Sequence, residues 1–138
     1  MYILYFCILR VVDMRKQRHI DYANCPVEAA FDVIGGKWKA VILFQLSCST
    51  KRFSALQKIL FKVTPRMLTK QLRDLEADGL VHREVYAQVP PKVEYSLTEL
   101  GRSLIPALVV LKDWSVTYIY PQIEDARNAA NSEMDKAD

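Results

Sequence analysis

Cysteine and histidine are scarce in this chain, and no apolar run in it is long enough to cross a bilayer. The three cysteines among 138 residues, Cys7, Cys25 and Cys48, form no CxxC pair, and the two histidines, His19 and His82, complete no ligand set. The spacing argues against a disulfide framework and against a metal site, and it suits a cytoplasmic chain whose thiols stay reduced. No Ser/His/Asp or Cys/His arrangement is recognisable, which argues against an enzyme and implies no cofactor. The apolar run from Met1 to Val12 is too short for a membrane span. Its flanking charges, Arg15, Lys16 and Arg18, follow the run where a signal peptide would place them before it, and no small-residue cleavage site appears. Residues 1–21 are read as a leader without function. A chain that starts at Met14 would account for it, and so would a packed strand or an interfacial helix.

What the chain has is a core and a skewed distribution of charge. Hydrophobic residues make up 51% of it, enough to exclude wholesale disorder and to build one domain. That domain is placed at residues 22–120, with a polar, frayed tail at 121–138. The net charge is only +3, but from Lys37 to Lys92 eleven lysines and arginines face four acids. A basic middle between acidic ends fits a polyanion-binding surface. At its centre Thr64 suits an N-cap, Pro65 the first helical position and Gly79 the stop. Leu68, Leu72 and Leu75 recur on one face of that helix, and Arg66, Lys70 and Arg73 lie opposite with Thr69 at their flank. Leucines behind and cations in front suit a helix laid in a DNA major groove. A solvated surface helix is the plainer alternative, and the flanking sequence weighs against it.

Cys25-Pro26 opens a helix to about Ile34, with Val27, Ala30, Phe31 and Ile34 as its apolar stripe and Gly35-Gly36 as its stop. A second helix, from Lys37 to about Ser47, is apolar nearly all round and belongs at the centre of the core. Ser54 and Gln57 form a capping-box pattern that opens a short third helix ending near Leu60. Phe61 to Val63 then turn the chain into the cationic helix, a helix-turn-helix order. After Gly79 the period changes to two, over 81–87 and 92–97, around the loop Gln88-Val-Pro-Pro91. Two strands there form a wing, with Lys92 at its tip facing phosphate or a minor groove. A long last helix, Thr98 to about Tyr120, is kinked or sharpened at Pro106. It carries more apolar surface than a small domain covers by itself, which suggests a dimer interface.

Four segments in order carry a resemblance. They are Cys25-Pro-Val-Glu28 with Ile34-Gly-Gly-Lys-Trp-Lys39, then Arg52-Phe-Ser54, then Arg66 to Leu80, then Val89 to Thr98 with Gly101. Together they resemble the HxlR family of bacterial winged helix-turn-helix transcription regulators, related in architecture to the MarR group, over about Tyr22 to Tyr120. The resemblance implies an α+β, mainly α fold: a winged helix-turn-helix domain with N- and C-terminal dimerisation helices. It makes Thr64 to Asp78 the recognition helix and Gln88 to Lys92 the wing. Many relatives carry glycine where this chain has Lys62, so the turn before the recognition helix departs from the pattern; Lys62 could add a phosphate contact there. Several relatives also sense electrophiles or oxidants through a cysteine at the position of Cys25. A thiol at a helix N-terminus sits beside unsatisfied amides and the positive dipole end, which favours such reactivity. An inert, partly buried cysteine is the alternative.

The expected function is that of a sequence-specific, dimeric DNA-binding repressor. Thr64, Arg66, Thr69, Lys70 and Arg73 are the candidates for base edges and phosphates. Lys92, with Arg83, would place the wing on the backbone, while Lys51, Arg52 and Lys58 would reach flanking phosphates. The expected partner is double-stranded DNA carrying an inverted repeat, with half-sites roughly 34–36 Å apart. The effector is either an electrophile or oxidant at Cys25 or a small molecule held between the dimer's helices. A winged-helix protein-interaction module is the remaining alternative, and the arginine stripe argues against it.

Overall fold

A computed structural model describes residues 25–134. The leader at 1–21, the alternative start at Met14, Cys7, His19 and the last residues of the tail, 135–138, lie outside the described residues. Cys25 is extended (φ −149°, ψ 99°), and Pro26 begins α1 (Pro26–Ile34), where its missing N–H has no helical partner to lose. Of the expected apolar stripe only Ile34 is buried; Val27 and Phe31 are 60% and 59% exposed. Gly36 takes φ +88°, and the chain turns through Lys37 and Trp38, so α2 (Lys39–Cys48) starts two residues later than its apolar pattern suggests. Ile42, Leu43 and Leu46 make α2 the inner helix, while Val41 stays at the surface.

Lys51 and Arg52 form β1, a strand too short to show any alternation in sequence. Its pairing corrects the start of the next helix. Because Arg52 is held extended, α3 runs Phe53–Ile59, with Arg52 as an N-cap that makes no side-chain capping bond. Ser54 therefore sits inside the first turn and not at the cap. Gln57 turns the other way and donates to the Val63 carbonyl at 2.5 Å, stapling α3 to the turn that follows.

In α4 (Pro65–Ala77) Leu68, Leu72 and Leu75 are the buried residues. Each such leucine stabilises the fold by about 2 kcal/mol or more through burial alone. The helix ends in a Schellman arrangement: Gly79 has φ +75°, its amide donates to the Glu76 carbonyl, and the Leu80 amide donates to the Leu75 carbonyl, both at 3.0 Å. The chain then enters β2 (Val81–Tyr86) and returns in β3 (Lys92–Leu97). The sheet order is β1-β3-β2, antiparallel, with Val81 opposite Leu97 and Tyr86 opposite Lys92. Val81, Tyr95 and Leu97 close the core side. α2 packs on β3 and α4, and α4 packs on β2, so the leucine stripe of α4 is fixed from within.

Thr98 ties the next helix to the end of α4. Its hydroxyl donates to the Gly79 carbonyl at 2.6 Å and accepts from the Gly101 amide at 3.0 Å, which caps α5 (Glu99–Tyr118). The chain divides within α5 into two compact units, one ending at Ile105 and one beginning at Pro106. After Ile119 a further helix, α6, spans Tyr120–Met134. The expected frayed tail is thus helical as far as Met134. Pro121 lies in the first turn, where the helix asks no N–H of it, and Ala126, Ala129 and Ala130 favour helix beyond. Among the described residues no helix is long and apolar enough to cross a membrane.

Candidate nucleic-acid interface

Thr64 caps α4 as its sequence suggests, with Oγ1 accepting the Met67 amide at 3.2 Å. With the leucines turned inward, positions 66, 69, 70 and 73 emerge together on the opposite face. Arg66, Lys70 and Arg73 are exposed and Thr69 is half-buried. These four residues line one open depression of about 410 Å³, together with Asp74. The Thr69 hydroxyl donates back to the Pro65 carbonyl at 2.9 Å, so outward it offers a methyl group and a lone pair. Asp74 was not a sequence candidate, although its spacing of four from Lys70 and eight from Arg66 could have placed it here. A carboxylate among three cations repels phosphate and can accept from a cytosine amino group.

Lys58 is exposed in the last turn of α3. In the turn beyond it the Val63 amide donates to the Leu60 carbonyl at 2.8 Å. No non-glycine residue among those described has positive φ, so the turn needs no glycine at Lys62. The Lys62 ammonium lies 5.7 Å from the centre of the Phe61 ring, and Lys51 donates to the Ser49 hydroxyl at 2.8 Å.

The wing differs from its sequence picture in where its cations point. Lys92 opens β3 opposite Tyr86, behind the loop tip, and the Val89–Pro90 peptide in that loop is cis. Its ammonium lies 2.8 Å from Glu94 Oε1 and 4.6 Å from the centre of the Tyr86 ring. Arg52 Nε stands 4.0 Å from the same Glu94 oxygen, across the β1–β3 pairing. The Lys92 hydrogen bond, joined by the charge of Lys92, a Tyr86 hydrogen bond and the charge of Arg52, holds the Glu94 carboxyl below its ordinary value against a smaller opposing effect of burial. On the neighbouring strand His82 Nε2 lies 2.8 Å from Glu84 Oε2. Glu94 went unnoticed in sequence because its link to Arg52 exists only through β1.

Two groups of sequence candidates therefore come together: Arg66, Thr69, Lys70 and Arg73 on α4, and Arg52 with Lys92 around Glu94. Lys58 and Cys25 join neither. Cys25 is exposed and free; its carbonyl accepts the Glu28 amide at 3.0 Å, and its thiol makes no capping bond. Cys48 is also exposed and free, with its sulfur 3.9 Å from the Phe44 carbonyl.

The family model for HxlR-like helix-turn-helix proteins matches residues 33–123. The HTH-type transcriptional regulator YdeP of Bacillus subtilis (strain 168) is 54% identical over 111 residues, covering 79% of this chain and 87% of that protein. The fold is similar to that of the redox regulator HypR in its oxidised form, with a TM-score of 0.65 and 57% identity over 67% of this chain and 96% of that one. It is also similar to the reduced form of the transcriptional regulator YodB from B. subtilis, with a TM-score of 0.62 and 32% identity over 70% of this chain and 94% of that one. With the winged fold, the cationic α4 face and these likenesses in agreement, the chain belongs to the HxlR-like helix-turn-helix family.

Proposed function

We propose that this chain is a dimeric, sequence-specific DNA-binding transcription regulator that acts as a repressor, with α4 in the major groove. The observation that carries this is the α4 face, three cations presented together by a helix whose opposite leucines are buried. Arg66 and Arg73 are suited to bidentate pairing with guanine, each good pair discriminating by about 1–3 kcal/mol. Thr69 and Lys70 complete that face. Thr64, Arg52, Lys58 and Lys92 serve the phosphates that set register without reading sequence. Val27 and Phe31 on α1, and Val110, Leu111 and Trp114 on α5, are exposed apolar residues that a second copy would cover. Two α4 helices in such a homodimer meet an inverted repeat with half-sites roughly 34–36 Å apart. The role needs neither a catalytic centre nor a cofactor, and it places the protein in the cytoplasm with the DNA.

Cys25 is the input for the signal in this reading. Support comes from its exposure at a helix N-terminus and from similar folds solved as oxidised and reduced HypR and as reduced and diamide-treated YodB. Diamide takes two electrons and two protons from a pair of thiols, which join in one S–S bond. A bond that changes the tilt between two subunits misaligns their α4 helices for successive grooves. Under a diamide treatment that strips wild-type protein from DNA, Cys25→Ser should stay bound; release of the variant would assign the sensor elsewhere.

The direct test is fluorescence anisotropy of the reduced protein on a duplex from upstream of its own gene, against a scrambled duplex at near-physiological salt. A preference of about a thousandfold is expected. Equal affinity for the two duplexes would contradict sequence-specific reading of that region.

A further inference from the structure

We propose that Glu94 is a positioning residue that restrains the hold of the wing on DNA, a carboxylate that competes with phosphate for the cations Lys92 and Arg52. The inference rests on the DNA-binding reading above. Glu94 sits on the central strand of the three, so it meets a cation from its own strand and another from β1. Lys92 is 2.8 Å away and Arg52 is 4.0 Å away, both on the same carboxylate oxygen. Tyr86 shares the cluster, with its ring 4.6 Å below the Lys92 ammonium. On the remaining side β2 places Glu84 directly opposite Glu94, itself paired with His82. Like charges opposite each other in a sheet destabilise it, so Glu94 is not there to strengthen the β2–β3 pair. What the carboxylate gains is the two cations, and what it takes from DNA is the same two charges.

A phosphate and this carboxylate are alternative partners for Lys92 and Arg52. On random DNA, where the wing is not held in register, the built-in partner wins. An exposed ion pair of this kind is worth a factor of about five at most, which sets the scale of the effect. That is enough to be read as a change in affinity and in salt dependence.

The test uses the full reduced protein and a random-sequence 30-base-pair duplex, titrated at several salt concentrations. Glu94→Gln should bind this duplex about two- to fivefold more tightly, with a salt slope steeper by about 0.9 for each cation released. In Lys92→Ala/Glu94→Gln one such increment should disappear. A Glu94→Gln protein with unchanged affinity and slope, or one weakened with an unchanged slope, would overturn the inference and leave Glu94 as wing scaffolding. If Glu94→Gln proves unfolded by circular dichroism, Lys92→Ala alone decides. Its loss of slope on random DNA should be well below 0.9, and a full 0.9 would overturn the inference. Failure of the wild type to bind any duplex defeats the DNA-binding reading and this inference with it, whereas wild-type binding with an indifferent Glu94→Gln defeats the inference alone.

Discussion

At the scale of single residues, small groups fix where α4 begins and ends. Thr64 satisfies an amide that no carbonyl reaches, so Thr64→Ala should cost about 1 kcal/mol in a urea melt and shift α4 helicity little beyond its first turn. Gly101 is held by space, since a β-carbon there would run into the Leu80 carbonyl. Glu94 gives a pH prediction with a definite sign. Its carboxyl is held below the ordinary value of 4.5, chiefly by the hydrogen bond from Lys92, so its ion pairs stabilise the fold above that value and are lost as pH falls through the lowered one. The difference in melting temperature between wild type and Glu94→Gln should therefore be flat from neutral pH down to about pH 5 and shrink only below that, as read by thermal melts in a pH series. A difference that changed near neutrality would point to another group.

At the scale of elements, α4 is held from two sides. Its leucines lock it laterally, and at its C-terminal end the Lys39 ammonium of α2 lies 3.8 Å from Asp78, with both side chains nearly buried. Lys39→Met takes the charge from beside a buried carboxylate and should destabilise the fold by about 3 kcal/mol, measured by chemical denaturation. Leu72→Ala, which opens a cavity behind the cationic face, should cost about 2–5 kcal/mol. Much of this was legible in sequence because the signals are local: the Thr64-Pro65 start, the glycine stop, the leucine spacing and the change to period two after Gly79. Two of the misses share a cause. The two-residue β1 has no periodicity to read, and its pairing with β3 moved the start of α3 and made Ser54 a poor guide. The same unseen pairing hid Glu94, whose partners come from different strands. The polarity of the tail at 121–138 suggests fraying, but Pro121 in a first turn is harmless and α6 follows as far as Met134.

At the scale of the whole molecule, the account needs two copies. Phe31 and Trp114 are more than half exposed, and in the proposed homodimer a second subunit would cover them. Trp114→Glu should give a single-chain mass by light scattering where the wild type gives two. Its DNA affinity should fall by at least about a hundredfold, because two linked half-sites become one. A variant that stayed dimeric would move the interface off this part of α5. The central claim, that the α4 face reads DNA, is tested most directly by the anisotropy of Arg66→Ala/Arg73→Ala on the duplex the wild type prefers. The account predicts an intact dimer whose affinity for that duplex falls by at least about thirtyfold and whose preference over scrambled DNA collapses. An intact dimer that still bound and still discriminated as the wild type does would contradict it.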